Sequence, residues 1–76
     1  MKAIVKISAF LTEDRTRSDK PVLRTASDQR TYIVVVADPQ KDDNGVLIPE
    51  VPARAVFGDE AFLNTITAGT KMYVEL

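Results

Sequence analysis

The chain has 76 residues, which leaves room for one domain with a small core, so residues 1–76 are predicted to form a single domain. It has no cysteine and no histidine, which excludes a disulfide framework and argues strongly against a zinc site. A formal net charge of -1 argues against a uniformly basic polynucleotide-binding protein. This net charge is nevertheless compatible with a local basic patch.

Residues 3–11 alternate in the manner of a β-strand. Phe10 falls on the more polar face with Lys6 and Ser8, so it is a candidate for stacking on a nucleic-acid base, and a core or interface role is equally compatible. The segment lacks the long apolar stretch of a signal peptide, and no run reaches the roughly 18 residues of a membrane span, so a cytoplasmic protein is predicted. The face predicted to enter the core consists of Ala3, Val5, Ile7, Ala9 and Leu11.

Residues 15–30 carry five basic side chains and only two acidic ones, the largest local positive excess in the chain. Such a patch attracts a phosphate backbone, and binding of this kind weakens steeply with salt. A solvated loop that protects a sheet edge from aggregation is the alternative interpretation. Within this segment, residues 21–25 form either a short edge strand or the bent second half of the first strand. The candidate phosphate-binding residues are Arg15, Arg17, Lys20, Arg24 and Arg30.

Residues 31–37 are almost all β-branched or aromatic, which predicts a strand buried on both faces or nearly so. Tyr32 begins this strand beside Arg30 and is a second candidate base-stacking residue.

Residues 38–50 contain Asn44-Gly45, a strong hairpin signal. The acids near that turn are interpreted as a solvated hairpin tip rather than a cation site, because they do not follow the calcium-loop pattern. The apolar residues 46–48 are predicted to pack on the barrel or on a partner.

The last third of the chain predicts a helix between two strands. Residues 53–57 alternate as a strand, Asp59 can cap a helix of about two turns, and a strand follows the turn at Gly69. Phe62 is predicted to lie in the core with the rest of the apolar helix stripe. A helix this short is not stable alone, so we expect it to plug a small β-barrel.

No catalytic arrangement is evident. The serines lie in no nucleophile motif, the adjacent carboxylate pairs lie in polar loops or at a helix start, and the three glycines are scattered. We therefore expect a protein that is not an enzyme and needs no cofactor or metal.

The last third also resembles the core of bacterial and phage single-stranded DNA-binding proteins of the OB-fold type. That resemblance implies an all-β fold with one short helix, an OB-fold small β-barrel, and coating of single-stranded DNA in replication or recombination by a homodimer or larger homo-oligomer. It also implies that Phe57 stacks on a base. The preference between DNA and RNA is left open. The matching residues are Phe57, Gly58, Ala61, Gly69, Tyr73, Val74 and Glu75.

The chain departs from the family pattern in two respects. It has no tryptophan, whereas the family uses tryptophans for stacking. The family also continues into a further hairpin and a closing strand, so we expect a barrel that is incomplete or closed by another chain. The resemblance favours a phage or mobile-element protein. The alternative is an OB-type interaction module of a primosome-like replication assembly, with weak nucleic-acid binding and replication proteins as partners.

Overall fold

β-Strands are the main secondary structure of the chain, with one short helix before the last strand. A computed structural model describes residues 2–48 and 50–75. The prediction of an all-β fold with one short helix is confirmed, and the main sheet curls into a half-barrel. The elements are β1 (Lys2–Lys6), β2 (Ala9–Leu11), β3 (Arg17–Ser18), β4 (Arg24–Thr25), β5 (Thr31–Ala37), β6 (Gln40–Lys41), β7 (Leu47–Ile48), β8 (Val51–Phe57), α1 (Glu60–Leu63) and β9 (Lys71–Glu75).

Strand β5 is the centre of a five-stranded antiparallel sheet. Strand β8 lies along one edge of it, with Tyr32 opposite Phe57 and Val34 opposite Ala55. Two strands share the other edge of β5, because β4 pairs with its start and β2 pairs with its end. Strand β3 extends the sheet beyond β2. Residues 24–25 are therefore an edge strand, one of the two predicted alternatives. The β-branched side chains of β5 suit a central strand because they pack well on a pleated surface.

The N-terminal segment connects two different sheets. The Ile7 amide donates to the Thr70 carbonyl at 2.9 Å, on the side of β9, whereas the next amide, from Ser8, donates to the Val36 carbonyl of β5 at 2.9 Å. The single strand predicted over residues 3–11 is therefore two strands, β1 and β2, which meet at this corner. Small barrels commonly bend a strand in this way so that it serves both sheets.

The alternation between buried and exposed side chains breaks down beyond the corner, because the neighbours Ala9 and Phe10 are both buried. Phe10 is fully buried, as are Val5 and Ile7. The prediction that Phe10 lies on the more polar face is wrong, because it assumed one unbroken alternation. Of the roles left open for Phe10, the structure shows the core role. The side chain of Ala3 lies outside the described part of the chain. The remaining residues of the core cluster come from β5, β7, β8, α1, the turn after α1 and β9.

Strands β1 and β9 pair antiparallel over their whole described length, with Lys2 opposite Glu75 and Ile4 opposite Tyr73. Directly opposed residues of an antiparallel pair project from the same face of the sheet. Tyr73 is exposed, and Ile4 beside it is half exposed. The outer face of this strand pair therefore carries one apolar pair, next to the opposed Lys6 and Lys71.

Helix α1 is shorter than predicted, with a single turn rather than about two. The Asp59 side chain caps it, as predicted, by accepting from the Phe62 amide at 2.7 Å. Leu63 and Ile66 are buried against the sheet, so the helix and the turn after it do plug the half-barrel. The prediction that Phe62 is a core residue is wrong, because its ring is 48% exposed beside Gly58.

A bulge lies in β8. Val35 pairs with Arg54 and Ala37 pairs with Val51, so three steps along β8 match two along β5. The Arg54 guanidinium donates to the Ala53 carbonyl at 3.0 Å, which satisfies an acceptor at the irregularity. Bulges increase local twist, and this one contributes to the curl of the sheet.

Candidate nucleic-acid interface

Four side chains form a continuous row across strands β4, β5 and β8. Arg24 pairs with Tyr32 in the β4–β5 register, and Tyr32 pairs with Phe57 in the β5–β8 register. These three side chains consequently project from one face of the sheet. Arg30 reaches the far end of the row from the turn that precedes β5. We call these four residues the aromatic row.

The distances within the aromatic row are those of stacked groups. The Tyr32 and Phe57 ring centroids are 5.2 Å apart with a tilt of 37°. The Arg24 guanidinium carbon lies 5.3 Å from the Tyr32 ring centroid, and that of Arg30 lies 4.2 Å from the Phe57 centroid. Both cations are within the range of a cation–π interaction. The row therefore holds two aromatic rings between two positive groups.

The aromatic row is accessible to a ligand. Phe57 is 41% exposed, Tyr32 is half-buried, and Arg30 is exposed. Arg24 is half-buried, and its Nε is buried without a hydrogen-bond partner among the described residues. Its guanidinium is therefore positioned by the Tyr32 ring and the strand rather than by an ion pair.

A cavity of about 440 Å³ opens beside Phe57 at the Arg30 end of the row. Two of its lining residues are joined through the backbone, where the Gly58 amide donates to the Thr31 carbonyl at 3.2 Å. The cavity combines an aromatic ring, a guanidinium and a carboxylate, so it offers a stacking surface with hydrogen-bond donors and acceptors. Its lining residues are Arg30, Thr31, Phe57, Gly58 and Asp59.

Arg30 is already paired with an acidic neighbour. Its Nε donates to Asp28 at 2.6 Å, and its backbone amide donates to the other oxygen of the same carboxylate at 3.1 Å. These bonds from Arg30 hold the pKa of Asp28 below its ordinary value of 3.8. Asp28 stays ionised at neutral pH, so a phosphate at Arg30 has to compete with it. Asp28 and Arg30 are only two positions apart, so the sequence itself indicates that they can form an ion pair.

Arg17 forms a second ion pair at the opposite end of β5. Its guanidinium donates to both oxygens of Asp38, at 3.3 and 2.9 Å, and this bond holds the pKa of Asp38 below 3.8. The Asp38 amide in turn donates to the Ser8 hydroxyl at 2.8 Å. The paired residues are 21 positions apart, so no local sequence signal identifies them.

The structure brings together only some of the predicted binding residues. Arg24, Tyr32, Phe57 and Arg30 form the aromatic row, whereas Arg17 binds Asp38 elsewhere on the same sheet. The two remaining cations are exposed, on the β2–β3 turn and just after β3. Phe10 is removed from the candidates because it is buried in the core. The two exposed cations are Arg15, whose φ is 67°, and Lys20.

The acidic hairpin has the geometry of a turn. The Asp42 carboxylate accepts from the Asn44 and Val46 amides at 2.9 Å each, and Gly45 adopts a φ of 80°. These bonds agree with the interpretation as a hairpin tip. Over the described residues, no group of three or more potential metal-binding side chains comes together.

A separate apolar groove lies between this hairpin and β1. It has a volume of about 360 Å³ and is flanked by one acidic and one basic residue, Asp42 and Lys71. Of its apolar members, Ile48 is buried, whereas the other three are among the exposed large hydrophobic residues of the described chain, and Tyr73 lies opposite Ile4 on β9. We call these side chains the apolar patch: Ile4, Val46, Leu47 and Tyr73.

Comparisons of the chain with protein-family models, curated proteins and solved structures found no match. None of the helical structure in the described chain is long and apolar enough to cross a membrane. The arrangement of side chains on the sheet is therefore the main guide to function.

Proposed function

We propose that this chain binds single-stranded DNA without requiring a defined sequence, and that it acts in DNA replication or recombination rather than as an enzyme. The observation that carries this proposal is the aromatic row, in which Tyr32 and Phe57 lie side by side on an accessible sheet face between Arg24 and Arg30. Aromatic rings stack on the faces of all four bases, and guanidinium groups bind phosphates, so this combination suits an unpaired strand.

Two features of the row support binding of bases rather than of a folded protein partner. Unpaired bases expose flat faces that match the Phe57 and Tyr32 rings, and stacking of this kind tolerates any sequence. The Arg30 guanidinium now covers Phe57, and it can move to a neighbouring phosphate when a base takes its place. Arg15, on the β2–β3 turn, and Lys20, just after β3, are further exposed cations of the chain.

The direct test is a titration of a labelled thymidine oligonucleotide at increasing salt. Each phosphate contact on a single strand contributes a slope of about -0.7 in a plot of log K against log salt. Three to five arginine and lysine contacts then predict a slope of about -2 to -3.5. Matched RNA and duplex DNA distinguish the preferred nucleic acid. No binding of the oligonucleotide at low salt would refute the proposal.

Releasing the arginines from their acidic partners is expected to strengthen DNA binding. In Asp28→Asn and Asp38→Asn, the phosphate no longer competes with a carboxylate, so the affinity for the oligonucleotide rises about two- to tenfold at low salt. Asp43→Asn, at the exposed hairpin tip, makes the same change in net charge without freeing an arginine and serves as the control. A rise as large in the control would show that only net charge matters.

A second candidate function is protein docking, and the apolar patch is the observation that favours it. Its four side chains are each more than half exposed, at 51% for Ile4 and up to 67% for Tyr73. An apolar surface of this kind suits self-association or a replication partner. Leu47→Asp separates the two functions, since it abolishes association in native mass measurements and leaves DNA binding by a monomer intact. The double charge reversal of Arg15 and Arg17 is expected to abolish DNA binding and to leave association intact.

A further inference from the structure

We infer that two copies of this chain associate about a two-fold axis, with the acidic hairpin tip of each copy docked against two opposed lysines of the other. This inference rests on the docking function proposed for the apolar patch and names a second copy as its partner, so it does not depend on DNA binding. We call Lys6 and Lys71 the lysine pair, and Asp42 and Asp43 the acidic tip.

The lysine pair lies on the outer face of the β1–β9 strand pair. Lys6 is directly opposite Lys71, two residues along each strand from Ile4 and Tyr73, so all four side chains project from the same face. Directly opposed side chains have Cβ atoms about 4.5–5.5 Å apart, and like charges at that distance repel. Neither lysine forms an ion pair with an acidic side chain of the described residues. An acidic group from another molecule therefore relieves this repulsion.

The acidic tip supplies groups of the required charge. Asp42 holds the turn by accepting from two backbone amides of the hairpin, whereas Asp43 is exposed. Lys41 begins the same hairpin, so residues 41–48 together carry one net negative charge. The lysine pair and the hairpin tip of one copy are thus surfaces of opposite sign.

The apolar groove of about 360 Å³ lies between these two surfaces. Asp42 from the hairpin and Lys71 from β9 both line it, together with the exposed side chains of Ile4, Val46 and Leu47. A two-fold axis through the groove places the tip of each copy against the lysine pair of the other, and it brings the two sets of apolar side chains together. The resulting interface has an apolar centre and a charged rim, as specific protein interfaces have.

A second copy fits this surface better than other partners because the chain carries both halves of the contact. An acidic peptide would neutralise the lysine pair, but it would also meet the acidic tip beside the same groove. A polynucleotide would be repelled by the tip in the same way. Reciprocal pairing of two copies neutralises the lysine pair and the tip at once.

The test exchanges the charges between two variants and measures association by native mass spectrometry without DNA. Lys6→Glu combined with Lys71→Glu makes the lysine pair acidic, so it faces the acidic tip of an identical copy. Asp43→Lys makes the tip basic, so it faces the lysine pair. We expect the dissociation constant of each variant alone to rise at least about tenfold over that of the wild type, because like charges meet at both contacts.

An equal mixture of the two variants should form a heterodimer within about threefold of the wild-type affinity, because both contacts again join opposite charges. An isotope label on one variant distinguishes the heterodimer from the homodimers, and its formation also shows that both variants fold. The matched control is Asp19→Lys. Asp19 is exposed just after β3, so this variant makes the same change in charge as Asp43→Lys and should associate like the wild type.

The outcomes separate this dimer from DNA binding. A wild-type protein that is monomeric at all concentrations, variants that associate like the wild type, or a mixture that forms no heterodimer overturns the dimer. Retained association together with lost oligonucleotide binding in the double lysine variant assigns the lysine pair to a polynucleotide, which also overturns the dimer. Failure of the wild-type protein to bind the oligonucleotide overturns DNA binding and leaves the dimer standing.

Discussion

Replacing both Tyr32 and Phe57 with alanine is expected to lower the affinity for single-stranded DNA by about thirtyfold or more. Each base stacked on an aromatic ring contributes about 1–3 kcal/mol, and the double variant removes two such platforms. The loss is measured by fluorescence anisotropy with a labelled thymidine oligonucleotide at low salt. Because Phe57 is 41% exposed and Tyr32 is only half-buried, the double variant should still fold, which circular dichroism checks.

Tyr73→Ala is the matched control for this experiment. Tyr73 is an aromatic residue that is 67% exposed, but it lies on the β1–β9 pair rather than in the aromatic row. Its removal should change DNA affinity less than about twofold. A double variant that binds as tightly as the wild type, or a loss in Tyr73→Ala of the same size, would contradict the assignment of the site.

A large effect on stability is expected for Leu63→Ala. Leu63 is fully buried and joins the helix to the core, and emptying such a site costs about 2–5 kcal/mol. A chain of this size has a total free energy of unfolding of about 4–11 kcal/mol, so the variant loses a large share of it. Urea unfolding followed by circular dichroism measures this loss.

Phe62→Ala is the comparison, because it removes a larger side chain from the adjacent position of the same helix. The Phe62 ring is 48% exposed, so the expected loss of unfolding free energy is only about 1 kcal/mol. Equal losses in the two variants would mean that the helix does not plug the sheet through Leu63.

The local elements of this fold follow from the sequence because their signals lie within a few residues. The β-branched run of residues 31–37 is β5, the turn at Asn44-Gly45 closes a hairpin, and Asp59 caps the helix. Side-chain alternation also identifies residues 53–57 as part of a strand, which is β8. Each of these depends on neighbouring backbone geometry and not on the rest of the chain.

The features that depend on distant pairing do not follow from the sequence. Phe10 was assigned to the wrong face because Ala9 and Phe10 are both buried just beyond the corner, where successive amides bond to different sheets. The pairing of Arg24 with Tyr32 depends on the register of a two-residue strand, which carries almost no periodic signal. The basic segment could be identified as a charge excess, but its division between the aromatic row and the Arg17–Asp38 pair is a property of the assembled sheet.

The orientation of the aromatic row across the strands limits the shape of any bound polynucleotide. Neighbouring strands are about 4.8 Å apart, and the Tyr32 and Phe57 centroids are separated by 5.2 Å, whereas successive bases of a duplex rise by about 3.4 Å per strand. A strand laid along the row must therefore be stretched beyond its helical spacing. Occupancy of both rings is incompatible with an intact double helix, so saturating protein would lower the melting temperature of DNA.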